Sequence, residues 1–133
     1  MPGYSGKPLV TKLGIKPGHR IAVVAPPQGF ELKGLPEDVR SLGANARELD
    51  VVMLFVKSRA DLVRGFKREG PRLVANGMLW VAWPKKASGV KTDMTEDVVW
   101  EVVLPAGWVD VKVCAVDDVW SGLKVVRRTE TRA

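Results

Sequence analysis

The apolar positions of this chain fall into short dense blocks separated by turn residues. Leu49 to Val56 is apolar at every position except Asp50, and Met78 to Trp83 is apolar throughout. Arg20-Ile21-Ala22-Val23-Val24-Ala25 is a third, shorter block. Apolar runs of this length, rich in β-branched and aromatic residues, predict strands covered on both faces, as in parallel sheets. Val109 to Val116 differs. Val109, Val111, Val113 and Ala115 alternate with Asp110 and Lys112, so one face meets solvent and the strand belongs near an edge. Leu123 to Arg128 follows closely enough to pair with it as an antiparallel hairpin across the Asp117-Asp118 turn.

Helical spacing fills the intervals. Pro8 to Leu13 predicts a short helix ending at Gly14, and Lys16-Pro17-Gly18-His19 a turn. Pro36 opens a predicted short helix through Val39 and Leu42 to Gly43. Ser58 with Asp61 resembles a capping box, and Leu62, Val63, Phe66 and Leu73 then recur at helical spacing up to Gly77, with an interruption expected at Pro71. Arg64, Lys67, Arg68 and Arg72 lie on the opposite, solvated side. Thr92 or Asp93 is expected to cap a further helix, with Glu96 as the partner of Asp93. Its apolar face is Met94, Val98, Val99, Val102 and Val103, and Pro105-Ala106-Gly107 stops it. Strands alternating with helices predict an α/β fold: a Rossmann-like open twisted sheet of about five strands, mostly parallel, ending in an antiparallel hairpin, with helices on both faces.

Length and composition are compatible with this. The chain has 133 residues, 46% hydrophobic and 27% charged, which fits one domain, 1–133, with 1–7 read as a flexible leader and 129–133 as a tail. No apolar run is long enough for a membrane span, and Met1-Pro2-Gly3-Tyr4-Ser5-Gly6-Lys7 lacks the apolar core of a signal peptide, so the expectation is a cytoplasmic protein without a membrane partner. Cys114 is the only cysteine and His19 the only histidine, so neither a disulfide nor a zinc cluster is expected. The net charge of +6 is uneven, with basic clusters at 1–20, 57–72, 85–91 and 124–132 and acids concentrated at 31–50 and 93–101. Such patches leave phosphate contacts by the Arg64, Arg68, Arg72 row as one reading, although zinc-finger, RNP and KH signatures are absent.

Ligands of open α/β sheets bind outside the carboxyl ends of the strands. In this sequence those ends are Ala25 to Phe30, Val56 to Arg59 and Trp83 to Lys91. The last runs from a strand into a helix N-terminus with Lys85, Lys86, Ser88, Gly89 and Lys91, a set suited to an anion. Its spacing is not that of a P-loop. Gln28 and Gly29, across the same edge, add an amide and a backbone donor, and Trp83 with Trp120 would wall the site if the turn before Trp120 folds over the edge. His19 falls at the opposite edge, Cys114 reads as a small core residue, Ser58, Ser88 and Ser121 lack a histidine partner, and Asp117-Asp118 reads as a turn rather than a metal site.

Three passages resemble class I S-adenosylmethionine-dependent methyltransferases in truncated form. Leu13-Gly14-Ile15-Lys16-Pro17-Gly18-His19-Arg20-Ile21-Ala22-Val23 is similar to the lead-in to that family's first strand. Leu49-Asp50-Val51-Val52 resembles its fourth strand, and Leu73 to Val81 the approach to its fifth. The hairpin would match its sixth and seventh. The resemblance implies S-adenosylmethionine as cofactor, but the family's alternating glycines and preceding acid are replaced by Ala25-Pro26-Pro27-Gln28-Gly29-Phe30. Two prolines stiffen that path and remove two N–H donors. No strand ending in a ribose-binding acid is predicted over 30–48, so the cofactor site reads as eroded or absent. The whole chain is also similar to an uncharacterised bacterial family of short proteins. The matching words are Ser5 to Leu9, Gly77 to Val99, Val113 to Asp117 and Trp120 to Lys124, and the resemblance implies a bacterial source and no particular activity.

The expectation is therefore a non-catalytic α/β module, with no cofactor and no metal, that binds an anionic small molecule or a protein partner at the carboxyl edge. A minimal or degenerate S-adenosylmethionine-dependent methyltransferase and a nucleic-acid binder acting through the basic patches stay open as alternatives. So does a homodimer formed through the edge strand near Asp110.

Overall fold

A computed structural model describes residues 8–129. The expected leader at 1–7, most of the expected tail and the word Ser5-Gly6-Lys7 lie outside them. The elements run α1 (Leu9–Leu13), β1 (Arg20–Val24), β2 (Arg40–Ser41), β3 (Leu49–Phe55), α2 (Arg59–Glu69), β4 (Leu73–Pro84), α3 (Glu96–Val103), β5 (Trp108–Ala115) and β6 (Trp120–Arg127). The sheet has six strands in the order β2-β1-β3-β4-β6-β5. β2, β1, β3 and β4 are parallel to one another, and β6 pairs antiparallel with both β4 and β5.

The dense apolar runs do cover both faces. Val52, Leu54, Leu79, Val81 and Trp83 meet Leu62 of α2 and Val99 and Val103 of α3 on one side. Val51, Met53, Phe55, Trp80 and Ala82 meet Val10 and Leu13 of α1 on the other. Each fully buried leucine contributes about 2 kcal/mol of apolar transfer energy. Trp80 also donates its indole N–H to Leu13 O at 3.0 Å, which fixes the end of α1 on the sheet. Gly14 then closes α1 in a left-handed conformation (φ 80°) that favours glycine. Gly65 lets α2 approach the sheet, since a Cβ there would lie 2.8 Å from a Leu54 methyl.

Several expectations are corrected. Pro36 to Leu42 is not a helix. Asp38 has φ 61°, and Arg40 N and Leu42 N donate to His19 O and Ile21 O at 3.0 and 2.8 Å, so the segment pairs with β1 as a sixth strand. α2 ends at Glu69 rather than Gly77. Pro71 sits in a 3-10 turn over Gly70–Arg72, and β4 begins at Leu73, paired with Leu49. α3 starts later than expected, with Thr95 as its cap accepting from Val98 N at 3.2 Å. Thr92 and Asp93 instead tie the preceding loop to Lys57 O and Arg59 N, at 2.6 and 2.8 Å. In β5 the register slips between Asp110 and Lys112, so Val111 and Val113 are exposed while Trp108 and Cys114 are buried. β5 is an edge strand, as the alternation suggested, and β6 begins three residues earlier than expected, at Trp120.

Candidate functional site

The loop after β4 is built by its own hydrogen bonds. Lys85 N donates to Val119 O at 2.7 Å, which anchors the loop on the β5–β6 turn. That turn is held by Asp117, whose Oδ1 accepts from Val119 N and Trp120 N, both at 2.8 Å. Ser88 Oγ donates to Lys85 O at 2.6 Å and accepts from Val90 N at 3.2 Å, closing a 3-10 turn over Lys86–Ser88. Gly89 leaves the turn at φ 79°. The chain then reaches Thr92 and Asp93, which are bonded to the segment that opens α2. Arg59 of α2 also pairs with Glu101 of α3.

This frame encloses an open cavity of about 560 Å³ at the carboxyl end of β4, on the α2–α3 face. Trp83, Lys85 and Lys86 line it from the strand side, Ser121 from β6, and Thr95, Glu96 and Asp97 from the start of α3. The free N–H groups of the helix start add positive potential, while Glu96, Asp97 and the adjacent Asp93 bring carboxylates. The cavity therefore presents both signs of charge beside an aromatic wall. Such an arrangement has the chemistry to hold a polar small molecule.

The candidate residues divide. Trp83, Lys85 and Lys86 come together here. Ser88, Gly89 and Lys91 do not line the cavity, and the serine hydroxyl is committed to its own turn. Gln28 lines a separate cavity of about 320 Å³ with Pro26, Pro27, Phe55, Lys57 and Trp120. Gly29 is exposed at φ 82° and lines neither cavity. Trp83 and Trp120 belong to opposite faces of the sheet, so they do not wall a single site. Thr95, Glu96, Asp97 and Ser121 were not among the expected binding residues: Glu96 was read only as a cap partner and Ser121 only as a serine without a histidine. Thr95 was legible as a cap followed by acidic residues, whereas Ser121 arrives only through its pairing with Trp83.

Elsewhere, His19 Nδ1 accepts from Lys16 N at 3.1 Å at the amino end of β1, far along the strand from this edge. Burial pushes the Cys114 thiol up, and the nearby Lys12 and Lys112 only partly oppose this, so burial favours the thiol over the thiolate. The arginine row is not a uniform solvated face. Arg64 pairs with Asp61 and Arg68 with Glu69, and Arg72 is buried against Glu69. Among the described residues no cluster of three His, Cys, Asp or Glu is placed to hold a metal, and no helix is long and apolar enough to cross a membrane.

The sequence matches no protein-family model and no curated protein. Solved structures do match. A SAM-dependent methyltransferase from Aquifex aeolicus superposes with a TM-score of 0.58 at 12% identity, over 88% of this chain and 86% of that one. The DhpI-SAH complex gives 0.60 at 12% identity, over 86% and 78%. A ribosomal protein L11 methylase from Lactobacillus delbrueckii subsp. bulgaricus gives 0.59 at 10%, over 90% and 75%. The strand order with its antiparallel C-terminal pair and this likeness over most of the chain agree: the protein has the Rossmann-like fold of the class I S-adenosylmethionine-dependent methyltransferases.

Proposed function

We propose that this chain is a ligand-binding module of methyltransferase fold, without a reaction of its own, that takes a small molecule carrying an anionic group in the cavity at the end of β4. The cavity itself carries the proposal. Lys85 and Lys86 offer ammonium groups, Trp83 an apolar wall, and Ser121 and Thr95 lie beside them. Glu96 and Asp97 on the facing wall favour a ligand that also bears an amine or hydroxyls, so a compact zwitterion fits better than a bare anion. The acids stand in the first turn of α3, where they also complement the helix dipole. The test is replacement of both lysines. Lys85→Ala with Lys86→Ala is expected to leave the melt almost unchanged and to abolish retention of the ligand, because neither lysine holds the fold together by its side chain.

A second reading, a minimal S-adenosylmethionine-dependent methyltransferase, is favoured by the fold and by the matching DhpI-SAH complex. The residues present fit that cofactor poorly. At the end of β1, Ala25 occupies the left-handed region at φ 55°, and Pro26 and Pro27 offer no N–H to a ligand. After β2 the chain reads Leu42-Gly43-Ala44-Asn45, with no carboxylate for a ribose diol. A thermal melt with millimolar S-adenosylhomocysteine separates the readings. Ligand at about 100 times its Kd stabilises by about 2.7 kcal/mol, a shift of several degrees. The binding-module reading expects none, and a clear shift would favour the methyltransferase.

A further inference from the structure

A third cavity, of about 400 Å³, lies beside β1 on the α2 face and shares no lining residue with the cavity at the end of β4. β2 is only two residues long, so the flank of β1 is bordered by the loop that follows it. Ala22, Val24 and Leu42 give the cavity an apolar floor, continuous with the core. Its wall is charged, with Arg68, Glu69 and Arg72 from the end of α2 and the turn after it. Glu69 and Arg72 are 2% and 5% exposed.

The hydrogen bonds of this trio engage the carboxylate fully and leave guanidinium donors unused. Arg72 donates through Nη1 to Glu69, through Nε to Ala46 O at 2.8 Å and through Nη2 to Gly43 O at 2.5 Å. Arg68 donates through Nε to the other Glu69 oxygen at 2.9 Å. Both carboxylate oxygens are thus engaged. A guanidinium carries five N–H donors, and among the described residues the two terminal nitrogens of Arg68 have no hydrogen-bond partner. Two guanidiniums against one carboxylate leave one positive charge on the wall of an apolar cavity.

We propose that this cavity is a second binding site, for a small monocarboxylate with a compact apolar body. The ligand carboxylate accepts from the terminal nitrogens of Arg68 and the remaining donors of Arg72, a pairing that guanidinium geometry favours. The body lies on Ala22, Val24 and Leu42. A single negative charge balances the trio, whereas a phosphate dianion would bring its second charge against Glu69. The volume suits a small organic ligand.

The test is an amide NMR titration of the whole chain with benzoate, benzamide and inorganic phosphate. Benzoate is expected to shift the amides of Ala25, Gly43 and Ala44 saturably at up to tens of millimolar. Benzamide, with the same ring and no charge, and phosphate, with charge and no ring, are expected to bind at least about tenfold more weakly. Arg68 is 63% exposed by its side chain, so Arg68→Gln keeps the fold and is expected to weaken benzoate at least about tenfold, with Arg68→Lys intermediate. Any one of three results overturns the proposal. The first is no shift at those amides, or shifts confined to the cavity at the end of β4. The second is equal binding of benzamide or phosphate. The third is undiminished binding to Arg68→Gln. The reading of the other cavity stands or falls separately, on Lys85 and Lys86.

Discussion

Arg72 and Glu69 form a buried ion pair at the end of α2, and the same guanidinium holds the backbone carbonyls of Gly43 and Ala46 in the loop after β2. One side chain therefore joins the α2 terminus to the outer flank of the sheet. Removing one partner of a buried pair leaves the other charge uncompensated, at about 3–5 kcal/mol. Glu69→Gln is expected to lower the melting temperature by about 10 °C. The double variant Glu69→Gln with Arg72→Met should lose less than the sum of the singles. Thermal unfolding of the three proteins checks both statements, and additive losses would mean the pair is not coupled.

Gly65 is expected to resist replacement even though alanine favours helix by about 1 kcal/mol. Its Cβ would meet Leu54, which is 2% exposed and packed between β3 and α2. Overpacking of this kind costs about 1–3 kcal/mol, so Gly65→Ala should melt below the parent despite the better helix former. An unchanged or raised melt would show that α2 can slide off the sheet without cost.

Lys112 and Lys124 face each other across the β5–β6 pair, with no carboxylate within ion-pair distance of either among the described residues. Burial, and secondarily Lys112, lower the pKa of Lys124. A base whose folded pKa is depressed is disfavoured in the fold while it is protonated. Its contribution to stability is present above the unfolded pKa and lost as pH falls through the folded one. Lys124→Met should therefore raise the melting temperature at neutral pH, with the gain shrinking as pH rises towards the ordinary lysine range. A gain independent of pH would assign the effect to packing instead.

Trp80→Phe removes the donor to Leu13 O and leaves that buried carbonyl without its partner. The expected loss is about 1–3 kcal/mol, with α1 the first element to exchange its amide hydrogens. Uniform protection in α1 after the substitution would contradict the anchoring role.

Much of this fold was legible in the pattern of apolar positions. Leu49 to Phe55 and Met78 to Trp83 announced strands buried on both faces because their runs leave no polar side. Arg40–Ser41 was not legible, since two residues carry no period and the pairing with β1 is made by backbone alone. The burial of Arg72 was hidden for a related reason. Helical spacing places it on the solvated face, but the helix ends before it, and the turn at Pro71 rotates it inward. Of the candidate site, Trp83, Lys85 and Lys86 followed from the strand end. Gln28 did not join them, because β3 and β4 separate the two faces at the edge. Glu96 and Asp97 were visible as residues but not as a wall, because placing them required the true start of α3 at Thr95.

In the proposed function, Lys85 and Lys86 hold a small ligand in the cavity at the end of β4 that they line. Native mass spectrometry of the purified protein, after incubation with a small-molecule extract of the expressing cells, is the test. The expected result is a discrete added mass on the parent protein that is absent from the Lys85→Ala, Lys86→Ala variant. A parent protein that emerges bare, or a variant that keeps the same added mass, would contradict it.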